Sequence, residues 1–235
     1  MKRSLLLLGL LGVAACSPHK PAAPPADVSG TAPETAAASV APVVDNTLDC
    51  ASPIAETDSA KALLARYGAD AQIGDIAGAE GMTAKGVILY GKDPSRRLEI
   101  MFWDDAMEHV SSVAAGDKAS AWLAPGGLHV GSPVADVEAA NGKPFSIAGF
   151  GWDYGGYATD LKSGKLTGLK GGCSLQLRFD NPDGAAVPDG LSGDGVTVSS
   201  SDPRLKRYKS VLTELAVGWP LPAGVKPSAD DGGGD

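Results

Sequence analysis

The stretch CSLQLRF, residues 173–179, carries the clearest structural signal in the chain. From Leu175 onward an apolar residue occupies every second position, and Gln or Arg occupies the positions between. Successive side chains of a β-strand point to opposite faces of the sheet. The segment therefore predicts a strand with one buried and one exposed face, a pattern typical of antiparallel sheets.

Two further segments show the same alternation. In RRLEIMFW (96–103), the residues Leu98, Ile100 and Phe102 are expected to share one face. In SVLTELAVGW (210–219), the alternating set is Val211, Thr213, Leu215, Val217 and Trp219. Shorter strand candidates are residues 86–90, 118–123, 145–150 and 154–161.

Three short helices are predicted between these strands. Each begins at Ser, Thr or Asp and ends at Gly, which are the residues that favour helix starts and ends. They cover residues 57–68, 104–116 and 132–142, and in the second of them apolar residues recur at 107, 110 and 113. The fold class is therefore α+β, with an antiparallel sheet packed by short helices. Each half places strands after a helix, so two degenerate helix-plus-strands repeats fit the layout as well as a single irregular domain does.

The N-terminus predicts an export signal over residues 1–15. Lys2 and Arg3 precede an apolar run at 5–15, which is too short to cross about 30 Å of hydrocarbon. The run ends in VAAC (13–16), which resembles the lipobox of bacterial lipoproteins. The resemblance implies cleavage before Cys16 and acylation of Cys16, and Ser17 implies an outer-membrane anchor facing the periplasm. An ordinary signal peptide with a chance cysteine is the alternative.

Composition divides the rest of the chain into three parts. Residues 16–47 hold six prolines and no aromatic residue, which predicts a tether. Residues 48–219 form the expected α+β domain. Residues 220–235 are poor in apolar side chains and predict a disordered tail.

Two cysteines remain after the lipid site, Cys50 and Cys173. An exported protein folds in an oxidising compartment, so the pair predicts a disulfide. Two unpaired buried thiols are the alternative. No histidine lies at ligand spacing from either cysteine, so the sequence does not predict a metal there.

A second resemblance involves residues 131–144. GSPV (131–134), Val137 and NGKP (141–144) resemble a pattern found in small outer-membrane lipoproteins of the SmpA/OmlA type, and the β-lactamase-inhibitor-protein fold uses a similar helix-then-sheet repeat. Ser132 follows Gly131 directly, which departs from the family pattern. The resemblance implies an α+β domain that binds other proteins.

The segment FSIAGFGWDYGGY (145–157) holds five of the 13 aromatic residues. Exposed aromatic side chains on a glycine-rich hairpin would form a partner-binding surface. Its candidate residues are Phe150, Trp152, Asp153, Tyr154 and Tyr157. The alternative is that Phe150, Trp152 and Tyr154 alternate onto one sheet face and form core, with Asp153 anchoring a turn.

Charge and motifs exclude several classes of function. The chain has 20 basic and 28 acidic residues, which argues against a nucleic-acid partner. The spacing of Gly149 and Gly151 does not match a phosphate-binding loop, and the acidic segment 180–202 lacks EF-hand spacing. No catalytic residue, cofactor or metal is predicted.

The sequence leaves two main hypotheses for function. The first is an envelope lipoprotein, held in the membrane by lipid on Cys16, whose domain binds another envelope protein. The second is an envelope hydrolase acting on peptidoglycan or glycan. A cavity that joins His109 or His129 to two carboxylates would favour the hydrolase, whereas an exposed hairpin at 152–157 would favour binding.

Overall fold

The computed structural model describes residues 45–228. The predicted signal peptide, Cys16 and most of the predicted tether lie outside these residues. In the described part, none of the helices has the length and apolar character needed to span a membrane.

Residues 45–228 contain nine strands, which form two antiparallel sheets, and three short α-helices, and this confirms the α+β class. The helices are α1 (Ala60–Tyr67), α2 (Val134–Asn141) and α3 (Pro203–Tyr208). The strands are β1 (Ala71–Ala77), β2 (Thr83–Leu89), β3 (Leu98–Phe102), β4 (Val110–Gly116), β5 (Ser146–Ala148), β6 (Ala158–Asp160), β7 (Ser174–Asp180), β8 (Thr197–Ser199) and β9 (Val211–Gly218). The large sheet has the order β1-β2-β3-β4-β9-β7, and the small sheet has the order β6-β5-β8.

The core lies on one face of the large sheet. The predicted alternation is confirmed in β3 and β7, where Leu98, Ile100, Leu177 and Phe179 are buried. Leu63 of α1 and Val137 of α2 are fully buried in the same cluster. The other face of the sheet, which we call the outer face, carries polar and small residues together with Ile76, Ile88 and Met101.

The helix predicted over 104–116 is wrong, because most of that segment is strand β4. Met101 pairs with Ser112 but Phe102 pairs with Val110, so Ser111 is an extra residue in a β-bulge. A bulge moves the following residues to the opposite face. It thereby places Val110 and Val113 on the same buried face at a spacing of three residues, which imitates a helix.

A second bulge corrects the alternation predicted for β9. Arg178 pairs with Glu214 but Phe179 pairs with Leu212, which leaves Thr213 unpaired with β7. Leu212 is therefore the buried residue, in place of the predicted Val211 and Thr213. The alternation holds from Leu215 onward.

Short-range signals located two helices well. The Ser59 hydroxyl accepts from the Ala62 amide at the start of α1, as the N-cap prediction required. Gly142 ends α2 in the left-handed conformation. The idea of two repeats stays a prediction, since α1 leads into the large sheet and α2 leads into the small one.

Both ends of the described chain contact the domain. The Leu123 amide donates to the Asn46 carbonyl oxygen at 2.8 Å, within the predicted tether. The Ser228 amide donates to the Trp103 carbonyl oxygen at 2.7 Å, within the predicted tail.

The predicted disulfide between Cys50 and Cys173 is present, with its Cα atoms 5.4 Å apart. It joins the segment before α1 to the start of β7 across 123 positions of sequence. The bridge therefore ties the first part of the domain to an edge strand of the large sheet.

We expect replacement of both cysteines by serine to lower the free energy of unfolding by about 4–5 kcal/mol, the chain-entropy value for a loop of this length. Urea denaturation of the oxidised protein and of the Cys50→Ser/Cys173→Ser variant measures the change. Equal transition midpoints would contradict a stabilising role for the bridge.

Candidate binding cleft

A cleft of about 420 Å³ lies on the outer face of the large sheet. Its floor comes from the central strands and β7: Glu99, Met101, Ser112, Ala114, Gln176, Arg178, Glu214 and Ala216. One wall is the turn between β1 and β2 at residues 78–81. The opposite wall is the aromatic loop, residues 150–157, which contributes Asp153, Tyr154 and Tyr157. We call this cavity the outer cleft.

Arg178 holds the aromatic loop in place. Its Nε donates to the Gly155 carbonyl oxygen at 3.1 Å, and its Nη2 donates to the Asp153 carbonyl oxygen at 2.9 Å. Its guanidinium group also lies 5.0 Å from the centre of the Tyr157 ring. Hydrogen bonds to a charged donor are stronger than neutral ones, so this side chain fixes the wall of the cleft firmly.

Gly156 lets the aromatic loop approach β7. The Phe179 amide donates to the Gly156 carbonyl oxygen at 2.9 Å. Gly156 has a φ of 80°, and a Cβ at this position would collide with the Phe179 carbonyl oxygen. Any other residue would therefore push the loop away from the sheet.

The two walls of the cleft are joined by one hydrogen bond. The Glu80 amide donates to the Asp153 Oδ2 at 3.0 Å. Glu80 has a φ of 57°, which is uncommon for a residue other than glycine. Asp153 thus serves a structural role across the cleft, in addition to its place in the loop.

Glu214 lies in the floor of the cleft beside Tyr157. The Tyr157 hydroxyl donates to the Glu214 Oε1 at 3.2 Å. Burial raises the pKa of Glu214, against the lowering effects of the Arg178 charge and the Tyr157 hydrogen bond. Burial and the nearby Glu214 carboxylate raise the pKa of Tyr157.

The structure divides the predicted surface residues between core and surface. Phe150 is 1% exposed and packs 5.4 Å from the Tyr208 ring, so it is core and does not belong to a surface. Tyr154 is 44% exposed. Trp152 is half-buried, donates to the Gly149 carbonyl oxygen at 2.8 Å, and lies 5.5 Å from the Tyr154 ring. Tyr157 is half-buried in the cleft wall.

No motif or spacing in the sequence singles out Glu80, Glu99, Arg178 or Glu214 as site residues. The alternation in β7 does place Arg178 on the exposed face, and that was the available signal. Arg178 contacts a loop that lies more than 20 residues earlier in the chain, and local sequence patterns do not predict such long-range contacts.

Neither His109 nor His129 lines the outer cleft. His109 Nδ1 lies 2.8 Å from Asp104 Oδ2, and His129 Nδ1 lies 3.2 Å from the Ser132 hydroxyl. The cleft therefore contains the carboxylates Glu99 and Glu214 in its floor, and Glu80 and Asp153 in its walls, without a histidine. Among residues 45–228, no group of three or more His, Cys, Asp or Glu side chains is placed to hold a metal ion.

No known protein family, curated protein or solved structure gives a significant match to this chain.

We expect the free energy of unfolding of the Glu214→Gln variant to rise relative to that of the wild type as pH increases from about 4 to about 8. A raised pKa means that the folded state binds more protons than the unfolded state, so the contribution of Glu214 to stability is present at low pH and is lost as pH rises through the folded pKa. Glutamine removes this loss. Urea denaturation at several pH values measures it, with the exposed Glu108→Gln as control. If the free energy of unfolding of the variant, relative to the wild type, fell as pH increased, the raised pKa of Glu214 would be contradicted.

Proposed function

We propose that this protein is a cell-envelope lipoprotein, anchored through Cys16, whose domain binds another envelope protein at the outer cleft. The lipobox resemblance supports the anchor. The Cys50–Cys173 disulfide supports folding in an oxidising compartment. The predicted tether, if extended, would give the domain a reach on the order of 100 Å from the membrane.

The observation that carries the binding proposal is the exposed apolar surface around the cleft. Tyr154 is 44% exposed at one wall, and Met82, which follows the opposite wall, is 52% exposed. Partly exposed tyrosine and methionine beside a cleft are typical of protein-binding surfaces. The cleft thus offers apolar contacts at its rim and polar groups in its floor.

The aromatic loop is also held rigidly before any partner binds. Arg178, Gly156 and the Glu80–Asp153 hydrogen bond fix its backbone at three points. A preformed surface loses little conformational entropy on binding, so more of its contact energy appears as affinity. This supports a recognition role for the loop.

The hydrolase alternative is favoured by one feature. Glu99 and Glu214 share the cleft, and burial raises the pKa of Glu214, as the general acid of a glycosidase requires. The contact between Glu214 and Tyr157 gives the carboxyl a structural partner as well, so we place protein binding first.

We expect a photo-crosslinking amino acid at position 154 to form adducts with one envelope protein in intact cells. The reason is that Tyr154 projects from a rigid loop at the rim of the cleft. The matched control carries the same crosslinker at Leu221, which is 41% exposed. Gel electrophoresis and mass spectrometry identify the adducts. Identical adducts at positions 154 and 221, or none at 154, would contradict the proposal.

The same cells test the other parts of the proposal. Labelled palmitate is expected on the wild type and not on Cys16→Ala, and label on both would contradict the anchor. Release of sugar from purified peptidoglycan by the wild type, lost in Glu214→Gln, would support the hydrolase instead.

A further inference from the structure

Strand β1 is an open edge of the large sheet. It pairs with β2 on one side, and within residues 45–228 no strand or bridge pairs with its other side. Ile73, Asp75 and Ala77 are all exposed. An edge of this kind presents unpaired backbone N–H and C=O groups to solvent.

The hydrogen bonds that flank the ladder show which backbone groups face outward. The Tyr90 amide donates to the Asp70 carbonyl oxygen at 2.7 Å, and the Gly78 amide donates to the Met82 carbonyl oxygen at 2.8 Å. In an antiparallel pair, hydrogen-bonded and non-hydrogen-bonded positions alternate. With the observed register, the even positions 72, 74 and 76 bond to β2, and the odd positions face outward. Because the Ala71 amide bonds to Gly68, the free edge begins at Ile73.

The other edge of the sheet is covered at both ends of β7. The aromatic loop bridges to β7 through Tyr157 and Arg178, and the Phe179 amide donates to the Gly156 carbonyl oxygen. At the other end of β7, the Leu169 amide donates to the Cys173 carbonyl oxygen at 3.2 Å. The fold thus covers one edge and leaves β1 open.

β1 also lacks three of the devices that prevent strand addition, and its one charged residue, Asp75, is paired with Lys85 of β2. Such edges usually carry proline, lysine or a bulge. β1 contains neither proline nor lysine, and all seven of its residues pair with β2 without a break in register. Ile73, beside the free backbone groups, is 48% exposed.

Charge selects the kind of strand that fits this edge. Asp70 precedes β1, Asp75 lies within it and Glu80 follows it, while Lys85 is the cation paired to Asp75. A second copy would bring the same acidic residues against these, on a chain whose net charge is −8. A segment that carries lysine or arginine is complementary to them.

We propose that β1 is a docking edge, to which an extended, lysine- or arginine-bearing segment of a partner polypeptide adds as a seventh strand. The backbone groups of Ile73, Asp75 and Ala77 supply the hydrogen bonds, and Ile73 supplies an apolar contact. The proposal depends on the sheet edge alone and does not require the outer cleft to bind anything.

The test uses NMR amide exchange on the purified protein with synthetic heptapeptides at about 1 mM, a concentration suited to weak binding. With an alternating lysine–valine peptide, we expect exchange at Ile73, Asp75 and Ala77 to slow at least about tenfold. An alternating glutamate–valine peptide should leave it unchanged. No slowing with the lysine peptide, equal slowing with both peptides, or slowing at another strand only, would overturn the proposal.

Two variants complete the test. Asp75→Pro removes an outward N–H without removing a bond to β2, and should abolish the effect of the lysine peptide. Ile73→Lys should weaken it at least about fivefold, whereas Leu221→Lys, at a residue of similar exposure, should not, and this pair decides the matter if the proline variant fails to fold. A dimer seen by ultracentrifugation that Asp75→Pro abolishes would show that a second copy occupies the edge, which would overturn the proposal.

Discussion

The contact of Arg178 with the aromatic loop is the interaction on which the outer cleft depends. One guanidinium group binds two loop carbonyl oxygens, lies near the Tyr157 ring and faces the Glu214 carboxyl from β7. These contacts hold the aromatic loop against the edge of β7, where the loop forms one wall of the cleft. Other contacts hold the ends of the loop: the buried Phe150 ring packs against Tyr208, and the Gly156 amide donates to the Ala148 carbonyl oxygen. Arg178 adds the two hydrogen bonds that join the middle of the loop, at Asp153 and Gly155, to β7.

Two β-bulges give the large sheet its present side-chain arrangement. The extra residues Ser111 in β4 and Thr213 in β9 lie on neighbouring strands. Each reverses the facing of the residues that follow, so that Val113 and Leu215 reach the core while Ser112 and Glu214 reach the cleft. Ser112 and Ala114 of β4 and Ala216 of β9 are small, so they leave space in the floor of the cleft. The longer side chains of β3 and β7 lie on either side of this space.

These bulges also explain how much the sequence could predict. Local sequence patterns predict the regular strands β3 and β7 and the cap of α1. The expected oxidising compartment predicts the disulfide. Strand β1, AQIGDIA, was missed because its glycine and mixed polarity show no alternation. The segment at 104–116 was misread because a bulge imitates helical spacing. The pattern of the sequence singles out the aromatic loop but not Arg178, Glu80 or Glu214. These three residues come together through strand register and long-range contacts, which local patterns do not predict.

We propose that a partner protein covers the outer cleft in the cell envelope. Hydroxyl-radical footprinting tests it by comparing oxidation of the protein in intact envelopes with oxidation of the purified domain. If a partner covers the cleft, Tyr154 and Met82 are protected in the envelope, while Leu221, of similar exposure, is oxidised equally in both samples. Equal oxidation of all three residues in both samples would contradict it.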